Sequence, residues 1–215
     1  MIKKIVKLLI KRTSYYNKLL NYNKLEEYWK WLYSGKPIPP PDIVKQMIVK
    51  EYANRYHVKI MVETGTYEGA MINAVKDVFD KIYSIELSNE LYLNASKKFE
   101  KCGHIKVYNG DSSEIMPKVI GNINEACLFW LDGHYMESVG IKAEKKTPII
   151  EEIKHIANHS VKNHILLVDD ARYFTGHDNY PALKQFCNII NEKFSNHSFI
   201  VENDIIRITP KQSLY

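Results

Sequence analysis

The sequence is poor in cysteine: Cys102, Cys127 and Cys187 are scattered over 215 residues, with no Cys-x-x-Cys among them. An odd, dispersed set builds no disulfide framework, and it fits a reducing compartment such as the cytoplasm. Nine Gly and eight Pro exclude a collagenous or low-complexity chain. No apolar run approaches the ~20 residues of a spanning helix, so an integral membrane protein is not expected. Excess charge is missing from most of the chain as well. Residues 1–30 carry eight Lys or Arg against Glu26 and Glu27, a net +6, while the remainder carries 22 basic and 23 acidic residues, a net −1. The overall +5 therefore describes one segment, and nothing in the body calls for nucleic acid.

That segment opens MIKKIVKLLIKRT. Lys7 interrupts the apolar stretch and no small-residue cleavage site follows, so it is not read as a signal peptide. Ile2, Val6, Leu9 and Ile10 fall near one helical face, with Lys3, Lys4, Lys7 and Lys11 elsewhere. Residues 1–34 thus suit a peripheral contact with an anionic membrane at its inner face, or a helix packed on its own domain or on a second subunit. A second helical stretch, about Lys24–Tyr33, precedes Gly35-Lys36-Pro37-Ile38-Pro39-Pro40-Pro41, a stiff run without helix. The expected division is a basic helical extension with its Pro-rich linker over 1–40, and one domain over 41–215.

From Val58 onward, short β-rich runs alternate with helical stretches. The runs are Val58–Val62, Lys81–Ile85, His104–Tyr108, Ala126–Leu131 and His164–Val168. IMVE, LFWLD and ILLVDD are almost continuously apolar before their acids, as in parallel strands covered on both faces. The spacing predicts a doubly wound α/β sheet. Near the end, Ser198–Val201 and Ile205–Thr209 are too close for a crossover helix, so they form an antiparallel hairpin. His155 and His159, four apart, are expected on a solvent-facing helix side.

Ligands of open α/β sheets bind beyond the carboxyl ends of the strands. Here those ends carry Glu63, Glu86, Asp132 and Asp169-Asp170, and Asp111 follows the third strand. Such an edge wants a cation: an ammonium, a sulfonium or a metal. The first loop, Glu63-Thr-Gly65-Thr66-Tyr67-Glu68-Gly69, has G-x-x-x-G spacing rather than the G-x-G-x-x-G of dinucleotide sites. Glu86 lies 21 positions after Gly65, where an acid can accept from both hydroxyls of a ribose.

On these residues the chain resembles the class I S-adenosylmethionine-dependent methyltransferases, over roughly Val58 to Thr209. The resemblance implies a Rossmann-like methyltransferase sheet, mostly parallel, ending in that hairpin. It implies that Glu63, Gly65, Thr66, Tyr67 and Gly69 border the methionine part of S-adenosyl-L-methionine. Glu86 would bind the ribose, Asp111 and Ser112 the adenine, and Asp132 would stand where the fourth strand delivers its site residue. Asp132, Asp169 and Asp170 further resemble the Mg-binding acids of the macrocin-type sugar O-methyltransferases. Three neighbouring carboxylates would repel one another without a cation, and hard oxygen ligands suit Mg²⁺. The alternative is that Asp170 pairs with Arg172 or caps a turn, and that Asp132 only touches the cofactor amine. Asp169 and Asp170 can share an ion only if the strand ends there and the backbone turns.

His134 stands where that family usually has an acid acting as base, and imidazole can do the same work near neutral pH. Its alternative is a histidine that shapes the loop. Residues 135–147 would close over substrate or form a solvated linker. Arg172, Tyr173 and Tyr180 would contact the acceptor. The expectation is a Mg-dependent O-methyltransferase with Asp132 and His134 as catalytic residues, acting on a hydroxyl of a sugar, glycan or related small molecule. A metal-independent methyltransferase, a nicotinamide oxidoreductase and a non-catalytic binding module are its rivals.

Overall fold

A computed structural model of the chain describes residues 14–133 and 147–211, with residues 14–21 described by their backbone only. Helix α1 (Ser14–Tyr33) contains the expected Lys24–Tyr33 stretch and starts ten residues before it, and α2 (Asp42–Arg55) starts directly after Pro41; the basic helix expected over residues 1–13 lies outside the described residues. Then follow β1 (Ile60–Thr64), α3 (Ala70–Val75), β2 (Lys81–Glu86), α4 (Asn89–Phe99), β3 (Ile105–Asn109), α5 (Ser112–Ile120) and β4 (Cys127–Leu131). The chain continues with α6 (Ile149–Asn158), β5 (Ile165–Val168), α7 (Leu183–Lys193), β6 (His197–Glu202) and β7 (Ile205–Pro210).

The strands form one sheet in the order β3-β2-β1-β4-β5-β7-β6. Pairs among β1 to β5 are parallel, and β7 runs antiparallel to both β5 and β6. The hairpin expected from the short gap is present. Its two loop residues, Asn203 and Asp204, both have positive φ, as the tightest right-twisting turn requires.

The apolar strands are sandwiched, as their composition implied. Successive side chains point to opposite faces, so Ile60 and Val62 of β1 join one core while Met61 joins the other. Phe129 and Leu131 divide from Leu128 and Trp130 in the same way on β4. The first core is closed by Met116, Ile153 and Phe186 from α5, α6 and α7. The second is closed by Val49, Ile72 and Phe99 from α2, α3 and α4, and by Trp31 from α1. Each such side chain contributes about 1.5–3 kcal/mol when buried. Among the described residues no helix is long and apolar enough to cross a membrane.

One expectation fails at the edge of the sheet opposite the strand ends that carry the acids. His155 and His159 do not share a solvent face. α6 ends at Asn158, and His159 follows with extended backbone, so helical spacing no longer applies to it. His159 is buried, its Nδ1 2.9 Å from His164 Nε2 and its Nε2 3.0 Å from the Ile120 carbonyl. The Cys127 amide donates to His164 Nδ1 at 3.1 Å. Burial, with His159 and His197 close by, pushes His164 down to about 4. His155 is half-buried, its Nε2 2.7 Å from the Ser113 carbonyl.

Candidate functional site

The parallel strands all deliver their last residues to one edge, and the β1 loop shapes it. Gly65 has φ +84°, and its N–H donates to the Ile85 carbonyl at 3.0 Å. A Cβ there would collide with the Asp132 carbonyl oxygen, so only glycine lets this loop cross the end of β4. Gly69, at φ +68°, starts α3, and a Cβ on it would meet the Phe99 ring at 2.6 Å. Both glycines therefore serve the chain's own packing as well as any ligand.

Beneath this loop Glu63 is buried. Ser84 Oγ donates to it at 2.5 Å, and Thr66 Oγ1 lies 2.6 Å from the same Ser84 hydroxyl. Burial pushes Glu63 up to about 8, with Asp132 and Glu86 adding to the rise against the Ser84 hydrogen bond. Glu86, at the end of β2, accepts from the backbone amides of Tyr67 at 2.7 Å and Ser88 at 2.9 Å, one on each oxygen. A carboxylate offers about four acceptor sites, so this one is held in place with capacity for two further donors. Tyr67 itself has positive φ and an exposed ring.

Asp111 and Ser112 are occupied in ways their expected role did not require. Asp111 caps α5, accepting from the Ser113 amide at 2.8 Å. Ser112 is buried and donates to Glu152 Oε1 at 2.5 Å. Glu152 comes from the apolar face of α6, and burial pushes it up to about 7. An acid among Ile149, Ile153 and Ile156 was a readable anomaly in the sequence.

Asp132, Asp169 and Asp170 come together, with one carboxylate oxygen of each within 4.8 Å of the others. The backbone solves the direction problem. β5 ends at Val168 and Asp170 takes the left-handed conformation, φ 58° and ψ 48°, which turns consecutive side chains toward one place. The Asp170 amide donates to Asp169 Oδ1 at 2.9 Å.

Among the described residues, two cations face this cluster. Lys45 of α2 forms an ion pair with Asp169 and lies 3.7 Å from Asp170. Burial pushes its ammonium down, but Asp169, Asp132 and Asp170 outweigh that and leave its pKa raised. Burial, together with Asp132 and Asp170, pushes Asp169 up to about 7 despite Lys45. Arg172 donates to Asp170 Oδ1 at 2.7 Å and pairs with Asp204 from the β6–β7 turn. Arg172 is thus committed to acids rather than turned to an acceptor, with Tyr173 under its guanidinium.

Lys45, Glu152 and Asp204 were not singled out by sequence reasoning. Lys45 and Asp204 gave no signal, because their partners lie far away in the chain. His134 and the segment 134–146 lie outside the described residues.

A cleft of about 120 Å³ runs between the β1 loop and α2, walled by Lys45, Glu63, Gly65, Thr66, Tyr67 and Asp132 among others. On the far side of Asp132, a space of about 10 Å³ is lined by Asp169, Asp170, Glu152 and Tyr180. That is room for about one water or ion. A wider groove of about 550 Å³ adjoins the cleft, sharing Asp42, Gln46 and Ala70 with it, and adds Lys24, Glu27, Asn73 and Lys98.

No protein-family model matches the chain, and neither does any curated protein. Solved structures do resemble it. The methyltransferase PaMTH1 of Podospora anserina, bound to SAH, is 15% identical over 94% of this chain and 97% of its own, with a TM-score of 0.53. An O-methyltransferase of Bacillus cereus in complex with SAH is 12% identical over 86% and 90%, with a TM-score of 0.55. The O-methyltransferase TomG of Streptomyces achromogenes, in complex with SAM, is 12% identical over 88% and 89%, with a TM-score of 0.53. The chain shares the Rossmann-like methyltransferase fold with all three.

Proposed function

We propose that this protein is an S-adenosyl-L-methionine-dependent O-methyltransferase, probed best as a Mg²⁺ enzyme acting on a hydroxyl of a sugar, glycan or related small molecule. The observation that carries the reading is the convergence of the Gly65 loop, Glu63, Glu86 and three aspartates on one edge of this sheet. Glu86 would accept from the ribose hydroxyls. Glu63 and Asp132 would face the positive methionine end of the cofactor. Asp111, which caps α5, and Ser112 would serve the adenine end of the cofactor.

Asp132, Asp169 and Asp170 would hold the divalent ion, whose hard-oxygen preference their carboxylates fit. When bound, Mg²⁺ supplies Lewis acidity that lowers the pKa of an acceptor hydroxyl. The chain's own part is to hold donor and acceptor in line, which is the larger source of rate in a two-substrate transfer. His134, two residues beyond Asp132, would take the hydroxyl proton. The adjoining groove favours a polyhydroxylated acceptor, because Asp42, Gln46, Asn73 and Glu27 on its walls are hydrogen-bonding side chains.

A second reading has its own observation. Lys45 and Arg172 already compensate Asp169 and Asp170, so the cluster needs no metal to be stable, and the methyl transfer would then be metal-independent. One experiment separates the readings and tests both. Calorimetry should show S-adenosylhomocysteine binding to the chelated protein, and turnover on a panel of sugar acceptors should vanish with EDTA and return with Mg²⁺. Replacing Asp169 by Asn should spare cofactor binding and lower turnover by about 10²-fold or more. Turnover unaffected by EDTA would leave the Lys45 reading. A chelated protein that binds no S-adenosylhomocysteine would end both.

A further inference from the structure

Among the described residues, α1 has one side packed on the protein and one side exposed. Trp31 is buried in the core, its indole N–H donating to the Pro37 carbonyl at 2.8 Å, and Tyr28 and Leu32 pack beside it. On the other side Tyr22, Leu25, Trp29 and Tyr33 are 66%, 51%, 47% and 82% exposed. Their spacing of three, four and four places them within an arc of about 80°, roughly opposite Trp31. Trp29 and Tyr33 stack at 5.7 Å, so the stripe is a preformed surface. A continuous apolar stripe on an exposed helix marks a contact site rather than chance exposure.

Charge says what covers it. Lys3, Lys4, Lys7, Lys11, Arg12, Lys18 and Lys24 all precede the first acid of the chain, Glu26. Glu26 is itself paired with Lys30 at 2.8 Å. A second copy of this chain would bring a second N-terminal segment of the same net charge, +6 over residues 1–30. An anionic bilayer brings the opposite charge, and Trp and Tyr rings suit the boundary between headgroups and acyl chains. We infer that α1 lies along an anionic lipid surface, with the stripe Tyr22–Leu25–Trp29–Tyr33 inserted and the net positive charge of the sequence preceding Glu26 supplying the attraction. The inference does not depend on the chemistry proposed for the sheet edge.

The full chain should co-sediment with vesicles of phosphatidylcholine mixed with phosphatidylglycerol, but not with phosphatidylcholine alone. The bound fraction should fall as salt rises, because screening reduces surface attraction beyond about 10 Å at 0.1 M. Replacing Leu25, Trp29 and Tyr33 together by Ser should weaken partitioning about tenfold or more while leaving the melting temperature and S-adenosylhomocysteine binding as they were. Tryptophan emission should shift to the blue on adding the anionic vesicles, and the single variant Trp29→Phe should lose most of that shift. Equal sedimentation of parent and triple variant would overturn the inference, and so would no sedimentation of the parent. A parent dimer that the triple variant converts to monomer would show that a second copy covers the stripe instead.

Discussion

Gly65 shows how one residue can answer to two demands. Its positive φ costs a non-glycine residue about 1–3 kcal/mol, and the Asp132 carbonyl leaves no room for a Cβ. Gly65→Ala should therefore displace the β1 loop from the end of β4. S-adenosylhomocysteine affinity should fall at least about tenfold, with a loss of stability of that same order, ~1–3 kcal/mol. Gly103 is the control. It has open space around its Cα and an ordinary φ, so Gly103→Ala should change stability by no more than about 0.5 kcal/mol. Calorimetry and thermal melts on the two variants check this, and similar behaviour in both would refute the steric account. The glycine pair was legible in the sequence as a candidate ligand loop. That the chain's own backbone also requires glycine there was not, because the obstacle belongs to β4.

At the scale of elements, α2 is the piece that sequence reading left out of the site. It precedes the first strand, yet it packs on the second core and carries Lys45 across to Asp169, 124 positions away. An ammonium and a divalent ion cannot both occupy the face of Asp169 that Lys45 now holds. If the three aspartates bind metal, Lys45→Met should tighten Mn²⁺ binding by about tenfold, since removing a neighbouring like charge is worth ~1 kcal/mol or more at this depth. Electron paramagnetic resonance titration of free Mn²⁺ measures this directly. Weaker binding in the variant would show that Lys45 assists the ion rather than competing with it. The β6–β7 hairpin plays a comparable part, its turn supplying Asp204 to Arg172.

Over the whole molecule, the two edges of the sheet titrate in opposite senses. Glu63 and Glu152 keep their protons in the fold up to about 8 and about 7, whereas in the unfolded chain they lose them near 4.5. Their stabilising effect is complete below about 4.5 and is lost as pH rises toward those values. The cost is up to about 1.4 kcal/mol per group per pH unit. At the opposite edge, His164 is held neutral down to about 4, so its contribution is lost as pH falls below about 6.5. Glu63→Gln keeps the size and removes the titration. Its melting temperature should decline less than the parent's between pH 5 and pH 8, roughly as the linkage slope requires. Identical pH profiles would show that Glu63 is ionised in the fold.

The alternation of strands and helices, the closing hairpin and the acids at the strand ends were all determined by the sequence alone. Each is a local matter: period, breaker residues and the last residue before a turn are written in consecutive positions. The strand limits moved by only a residue or two for the same reason, as where Val58 stays in the turn after α2 and pairing begins at Ile60. The pairing of Arg172 with Asp170, two residues away, was also readable in the sequence. Tertiary structure alone decided that Lys45 meets Asp169 and that Arg172 meets Asp204, because the fold makes neighbours of elements remote in the chain. His159 is buried because α6 stops one residue before it. Asp170 faces Asp169's partners because its backbone turns left-handed where β5 ends. Those outcomes depend on packing and direction in space, which no spacing along the chain records.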